Sequence, residues 1–253
     1  MDLGLKGKVA IVTGTGRKGA IGEAIALALA KEGADIACVD IMIEGAEAIA
    51  KEVAELGVKV KAYKVDQSDL GQVRDAVVKI NKELGTVSIL VNNAAMMDPF
   101  GRIEKIEIEQ WQRMQNINLN GSYYWVREVW NTMTENNYGR IINISSIAAV
   151  MGGFGQVNYS TSKAGVIALA KTAALEGARK GITANAISLG VVSSGQPMEE
   201  TETGQRIKSK IAMREFGKPA DVANLCAYLA SDKAGYITGQ DIHVMGGLDL
   251  FTY

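Results

Sequence analysis

The sequence predicts one doubly wound α/β domain, a parallel sheet of about seven strands with helices on both faces. Short apolar runs alternate with helical patterns from one end of the chain to the other. The first of them, Val9, Ala10, Ile11 and Val12, is continuously apolar, as expected for a parallel strand buried on both faces. No internal repeat, low-complexity segment or linker divides the 253 residues, and one α/β domain routinely reaches this length.

The elements follow in order. After the first strand, Ile21, Ile25, Ala28 and Leu29 keep helical spacing. A second strand covers 34–39, a helix 46–56 and a third strand 58–65. Val73, Val77, Ile80 and Leu84 recur at i, i+4, i+7 and i+11 and mark the next helix. The fourth strand is 87–91, a long helical region covers 109–136, and the fifth strand is 140–144. An alanine-rich helix over 159–180 leads to strands at 182–188 and 241–244, with a helix over about 220–230 between them. Such alternation with right-handed crossovers winds the sheet in two directions, and ligands bind beyond the carboxyl ends of its strands. Residues 191–214 interrupt the alternation with Gly195, Pro197 and Gly204, and read as a lid inserted at the mouth of the site.

Composition narrows the function. With 27 basic and 28 acidic residues the formal charge is −1, and no block of like charge suggests nucleic acid or an anionic membrane. No apolar stretch reaches 18 residues, and the amino terminus lacks the apolar core of a signal peptide, so a cytoplasmic protein is expected. Cys38 and Cys226 sit in apolar or helical patterns without paired spacing, which argues against a disulfide framework or a thiolate metal site. His243 is the single histidine, so neither a histidine-based zinc site nor a serine–histidine triad is expected, and no metal is assigned.

Two clusters carry chemistry. The run from Thr13 through Gly14, Gly16, Gly19, Ile21 and Gly22 follows the first strand and opens the first helix. Glycines there let the backbone approach a pyrophosphate, and the helix start supplies free N–H groups and a positive dipole end. Asp40 closes the second strand, where a carboxylate accepts from ribose hydroxyls and repels a 2′-phosphate. That favours NAD over NADP, against the pull of Arg17 and Lys18 in the turn. Asp66 at the third strand's end can meet the adenine edge, and Asn92, Asn93, Ala94 and Ala95 end the fourth strand with small residues beside the cofactor.

The second cluster is Tyr159 and Lys163, four apart on one helical face, with Ser146 thirteen residues ahead of Tyr159 at the end of the fifth strand. Free tyrosine titrates near ~10, and a nearby ammonium with a cationic nicotinamide favours the phenolate. The serine hydroxyl can hydrogen-bond a substrate oxygen while the tyrosine exchanges a proton with it.

The order and spacing of these pieces resemble the short-chain dehydrogenase/reductase family over essentially the whole chain. The matching pieces are Thr13-Gly14, Asn92-Asn93-Ala94, Asn118-Leu119-Asn120-Gly121, Ser146, Tyr159 through Lys163, Asn185-Ala186-Ile187, and Gly239-Gln240 to Gly246-Gly247. The resemblance implies a Rossmann fold and a catalytic tetrad of Asn118, Ser146, Tyr159 and Lys163. The asparagine would help hold a water that links the lysine to solvent, and the lysine would bind the nicotinamide ribose. Gly190, Val192 and Ser194 would complete the cofactor contacts, and a homotetramer would form through the helices carrying Asn118 and Tyr159. Three features depart from the family. The glycine turn is two residues longer than usual, Ala95 replaces a glycine, and Leu189-Gly190 replaces Pro-Gly, with Ser194 for the usual threonine.

These features predict an NAD-dependent oxidoreductase that interconverts a hydrophobic secondary alcohol and its ketone. Met97, Ile147, Met151, Phe154, Val191 and Met198 are the expected pocket residues. The alternative is an NADP-dependent 3-oxoacyl carrier-protein reductase. A nucleotide-binding sensor without turnover would have no use for the proton path.

Overall fold

The computed structural model describes residues 2–193 and 200–250; the expected contacts of Ser194 and Met198 lie outside the described residues. Seven strands form one sheet: β1 (Val9–Thr13), β2 (Asp35–Asp40), β3 (Val60–Lys64), β4 (Val87–Asn92), β5 (Gly139–Ser146), β6 (Ile182–Leu189) and β7 (Asp241–Val244). Their order is β3-β2-β1-β4-β5-β6-β7, and every neighbouring pair is parallel. The chain winds outward one way from β1 and the other way from β4, so the crevice above β1 and β4 is the switch point where such sheets bind ligands.

The helices are α1 (Ile21–Lys31), α2 (Ile43–Ala54), α3 (Leu70–Glu83), α4 (Ile108–Gln115), α5 (Gly121–Glu135), α6 (Ile147–Met151), α7 (Val157–Gly177), α8 (Glu202–Lys208) and α9 (Pro219–Ala230). The alternation of side chains along each strand divides the core. Ala10 and Val12 of β1 pack with Ile25 of α1, Ile49 of α2 and Val222 of α9. Val9 and Ile11 point the other way, to Val73 of α3, Trp125 of α5 and Ala173 of α7. Cys38 and Cys226 are free thiols inside the first of these layers, where burial pushes both up in pKa. No described helix is long and apolar enough to cross a membrane.

Three local features go beyond the sequence reading. The helical region expected over 109–136 is broken by a π-type turn at Asn116–Asn120, between α4 and α5. Such a turn widens the helix locally and is common at functional sites. The fifth strand runs on to Ser146, which caps α6 by accepting from the Ala148 N–H at 3.2 Å. Within the stretch expected as an insertion, the described residues hold α8, whose Thr201 cap accepts from the Gly204 N–H at 3.0 Å. Below the insertion, Met213 donates its N–H to the Gly246 carbonyl at 3.1 Å, and His243 pairs with Asp249 at 2.5 Å.

Trp125 is fully buried between sheet and helices, and its indole nitrogen has no hydrogen-bond partner. Trp125→Ala should therefore destabilise the protein by about 3–5 kcal/mol, the usual cost of emptying an aromatic core site. Trp125→Phe keeps most of the ring and removes an unpaired donor, so it should cost roughly 1.5 kcal/mol or less. Urea unfolding of the two variants checks the order; equal losses would mean that the indole N–H is satisfied.

Candidate active site

The nucleotide end is built where the turn after β1 folds against the ends of β2 and β4. Gly14 has φ +78°, and a Cβ there would lie 2.6 Å from the Asn93 amide nitrogen and 2.8 Å from the Ala94 Cα. A Cβ on Gly22 would lie 2.0 Å from the Gly14 carbonyl oxygen, so α1 can meet the turn only without a side chain at that position. Asn93 donates its amide to the Thr13 and Gly14 carbonyls at 2.8 and 3.2 Å, and the Thr13 hydroxyl oxygen accepts from the Asn93 and Ala94 N–H groups at 3.0 Å each. The side chain of Asn93 is thus committed to holding the turn.

The middle of the turn reaches the end of β2. Gly16 donates its N–H to Asp40 Oδ2 at 2.7 Å, and Met42 donates to Asp40 Oδ1 at 2.9 Å. A Cβ on Gly16 would sit 2.5 Å from the Asp40 carboxyl carbon. Gly19 has φ +71° and open space around it, and its N–H donates to Glu23 Oε2 at 2.5 Å. Ala20, which the sequence reading passed over, caps α1 with no side-chain hydrogen bond. Its signal was its place immediately before the first helical residue. Lys18 is drawn away to Glu52 of α2, whereas Arg17 stays at the cleft.

A cleft of about 770 Å³ opens along these residues, with Thr13, Gly14, Ala20, Asp40, Asp66 and Ala94 among its walls. A strand-end crevice with a close-packed glycine turn, an uncapped helix start and a carboxylate at the second strand fits a dinucleotide. Asp66 Oδ1 accepts from the Ser68 N–H and hydroxyl at 2.9 and 2.7 Å. Gly190 and Val192 lie further along, where Gly190 donates to the Val244 carbonyl at 3.0 Å and Val192 bridges to Gly217.

The catalytic candidates stand at the ends of β5, the π-type turn and the first half of α7. Lys163 is 3% exposed, and its Nζ donates to the Ile144 carbonyl at 2.7 Å. Burial lowers its pKa from 10.5 to about 8. The Nζ lies 5.9 Å from the centre of the Tyr159 ring. Burial raises the Tyr159 pKa, and a hydrogen bond with Ser146 pulls it partly back. The lowering by Lys163 expected from the sequence is absent in the free protein, because the amine is turned to a backbone carbonyl and low polarity dominates at the phenol.

Asn118 is 1% exposed in the π-type turn. It exchanges two hydrogen bonds with the backbone of Met96, each 2.8 Å, and donates to the Ser162 hydroxyl at 3.1 Å. Its amide therefore ties three segments together and makes no direct bond to Lys163.

The expected substrate residues are dispersed. Val191 and Ile147 are half-buried, and Met97 and Met151 stand exposed at the surface. Phe154 is 89% exposed and lines a separate hollow of about 600 Å³ with Gly101, Arg102, Ser160 and Thr161, whose walls include none of the tetrad. The loop around it takes left-handed backbone at Gly152 and Gly155, with φ +78° and +73°.

Comparison with known proteins agrees with this geometry. The family model described as enoyl-(acyl carrier protein) reductase matches residues 14–249. The chain is 38% identical to the 3-oxoacyl-[acyl-carrier-protein] reductase FabG of Staphylococcus epidermidis over 95% of this chain and 98% of that protein. The corresponding reductase of Thermotoga maritima is 36% identical over 96% and 98%. A solved NAD+-bound xylitol dehydrogenase superposes with a TM-score of 0.90 and 32% identity, covering 96% of this chain and 99% of that one. With the family model matched over nearly the whole chain and relatives of this identity, the chain belongs to the short-chain dehydrogenases/reductases.

Proposed function

We propose that this oxidoreductase reduces the ketone of a 3-oxoacyl thioester to the secondary alcohol, with NADH as its cofactor and Tyr159 as its acid. The observation that carries the chemistry is the meeting of Tyr159 with Ser146 at the end of β5, beside the buried Lys163. The carrier-protein reductases among the relatives favour a 3-oxoacyl substrate over the free hydrophobic alcohol expected from the sequence. Asp40 supports NADH: its carboxylate is held at the cleft by two backbone N–H groups, where it would repel a 2′-phosphate. Arg17 at the same cleft favours NADPH.

When bound, the nicotinamide supplies the hydride that reaches the carbonyl carbon. Tyr159 gives its phenolic proton to the carbonyl oxygen as negative charge gathers there. Burial keeps that phenol protonated, the form a reductase needs. The Ser146 oxygen accepts from Ala148, and its hydroxyl, bonded to Tyr159 in the free protein, would turn to donate to the same carbonyl oxygen once substrate is bound. Lys163 would hold the nicotinamide ribose and keep a positive charge behind the tyrosine. Leu175 on α7 and Tyr123 on α5 stand exposed, in keeping with a homotetramer built through these helices.

An assay of a 3-oxoacyl thioester against a panel of hydrophobic ketones, each with NADH and NADPH, tests this. The thioester with NADH should give the highest kcat/KM, and Tyr159→Phe should lower turnover by about 100-fold or more while still binding NADH. Faster turnover of the simple ketones would return the substrate to the first reading. A Tyr159→Phe enzyme that keeps a tenth of the rate would remove the tyrosine from its role.

Lys163 makes a second prediction. Its folded pKa of about 8 lies below its ordinary 10.5, so between these values the unfolded chain binds the extra proton and stability rises with pH. Below pH 8 the amine is charged in both states and its burial weakens the native one. Lys163→Met should therefore be the more stable protein at pH 7, by on the order of 3 kcal/mol, while losing activity. The gap in urea midpoint should close toward pH 10.5. A constant gap across that range would mean that the lysine is not buried as a charge.

A further inference from the structure

Gln67 follows Asp66 at the end of β3 and plays no part in the chemistry above. It is 7% exposed and lies at the wall of the nucleotide cleft. Its amide nitrogen donates twice, to the Ala94 carbonyl at 3.1 Å and to the Ile117 carbonyl at 2.8 Å. Ala94 belongs to the segment after β4 that lines the cleft, and Ile117 to the π-type turn that carries Asn118. One amide group therefore joins the cofactor side of the cleft to the turn on its catalytic side.

The turn is built to receive it. A π-type turn takes carbonyls out of the regular i→i+4 ladder, and buried carbonyls need other donors. Gly121 donates its N–H to the Asn116 carbonyl, and the Ser122 hydroxyl donates to the Asn118 carbonyl at 2.7 Å. The Ile117 carbonyl, between them in sequence, takes the proton of Gln67. Gly121 leaves the space for this contact, because a Cβ there would stand 2.7 Å from Gln67 Cγ and 3.0 Å from its Cδ. Across the same gap Asn118 exchanges its two bonds with Met96, two residues beyond Ala94.

We infer that Gln67 is a positioning residue: it fixes the wide turn bearing Asn118 against the Ala94–Met96 segment, and so sets the catalytic side of the site to the bound cofactor. The inference rests on the reductase reading for its kinetic consequence but not for its structural one. Both acceptors are carbonyls, so the position requires a donor. Methionine matches the length and offers none. A glutamate carboxylate would face two carbonyls without a proton, whereas the protonated acid restores one of the two donors.

The test compares wild type with Gln67→Met and Gln67→Glu. Hydrogen–deuterium exchange over 116–121 needs no substrate, and should be at least about tenfold faster in Gln67→Met because a buried tie of the turn is lost. In turnover, kcat should fall by about tenfold or more while the dissociation constant for NADH, read by its fluorescence, changes by no more than about threefold. Gln67→Glu should regain activity relative to wild type as the pH falls and its carboxyl takes up a proton; Gln67→Met should show no such recovery. Unchanged exchange in Gln67→Met overturns the positioning role, whatever the substrate. So does a fall in NADH affinity that matches the fall in kcat, which would make Gln67 a cofactor contact. Faster exchange in an enzyme whose wild type turns over none of the panel would leave the positioning intact and refute the reductase reading instead.

Discussion

Helix α7 turns a buried face of small residues, Val166, Ala170, Ala173 and Ala174, toward the sheet, and its first half is tied there by polar groups. Three hydrogen bonds to β5 make this tie. Asn143 donates to the Val166 carbonyl at 2.9 Å, Ser145 to the Lys163 carbonyl at 2.9 Å, and Lys163 Nζ to the Ile144 carbonyl at 2.7 Å. With the helix held in this register, Tyr159 comes to rest against Ser146 at the strand's carboxyl end. Polar groups buried in a low-dielectric layer must find partners, and here that requirement positions the chemistry.

The same constraint explains why the site is costly to fold. Lys163 is buried against a neutral carbonyl, an arrangement that weakens the native state below its own titration. A core designed for stability would place an apolar residue there. The lysine makes sense as part of a site that completes its electrostatics only with the dinucleotide in the cleft. Asp40 works differently: both its oxygens accept backbone N–H groups, so the charge that would select the cofactor also folds the lengthened glycine turn onto β2.

Most of the fold was legible because parallel strands leave a strong local trace. Runs such as Val9 to Val12 are apolar on both faces, and each appears as a strand at nearly its expected bounds. In the structure Ser146 ends β5, and Tyr159 and Lys163 lie in the first two turns of α7. What the sequence hid depends on side chains turning toward backbone far away in the chain. The π-type turn at Asn116–Asn120 keeps helical periodicity well enough to pass for uninterrupted helix. Gln67 reaches Ile117 fifty residues on, and only its polar character after a strand-end aspartate hinted at a role. The apolarity of Phe154 suggests a pocket residue, whereas in the structure it stands exposed in a loop with left-handed glycines. Motif spacing gives the distance of a charge from the Tyr159 phenol and not the desolvation that opposes it in the free protein.

The central claim is that Lys163 and Tyr159 act together on one proton. The most direct measurement is the pH profile of kcat/KM for the oxidation of a 3-hydroxyacyl thioester at saturating NAD, in wild type and in Lys163→Met. Oxidation needs the phenolate, so the wild-type rate should rise with an apparent pKa well below the ~10 of free tyrosine. The variant lacks the ammonium, and its profile should move to higher pH with a lower plateau. Coincident profiles would show that the lysine does nothing for the tyrosine's proton and would contradict the account.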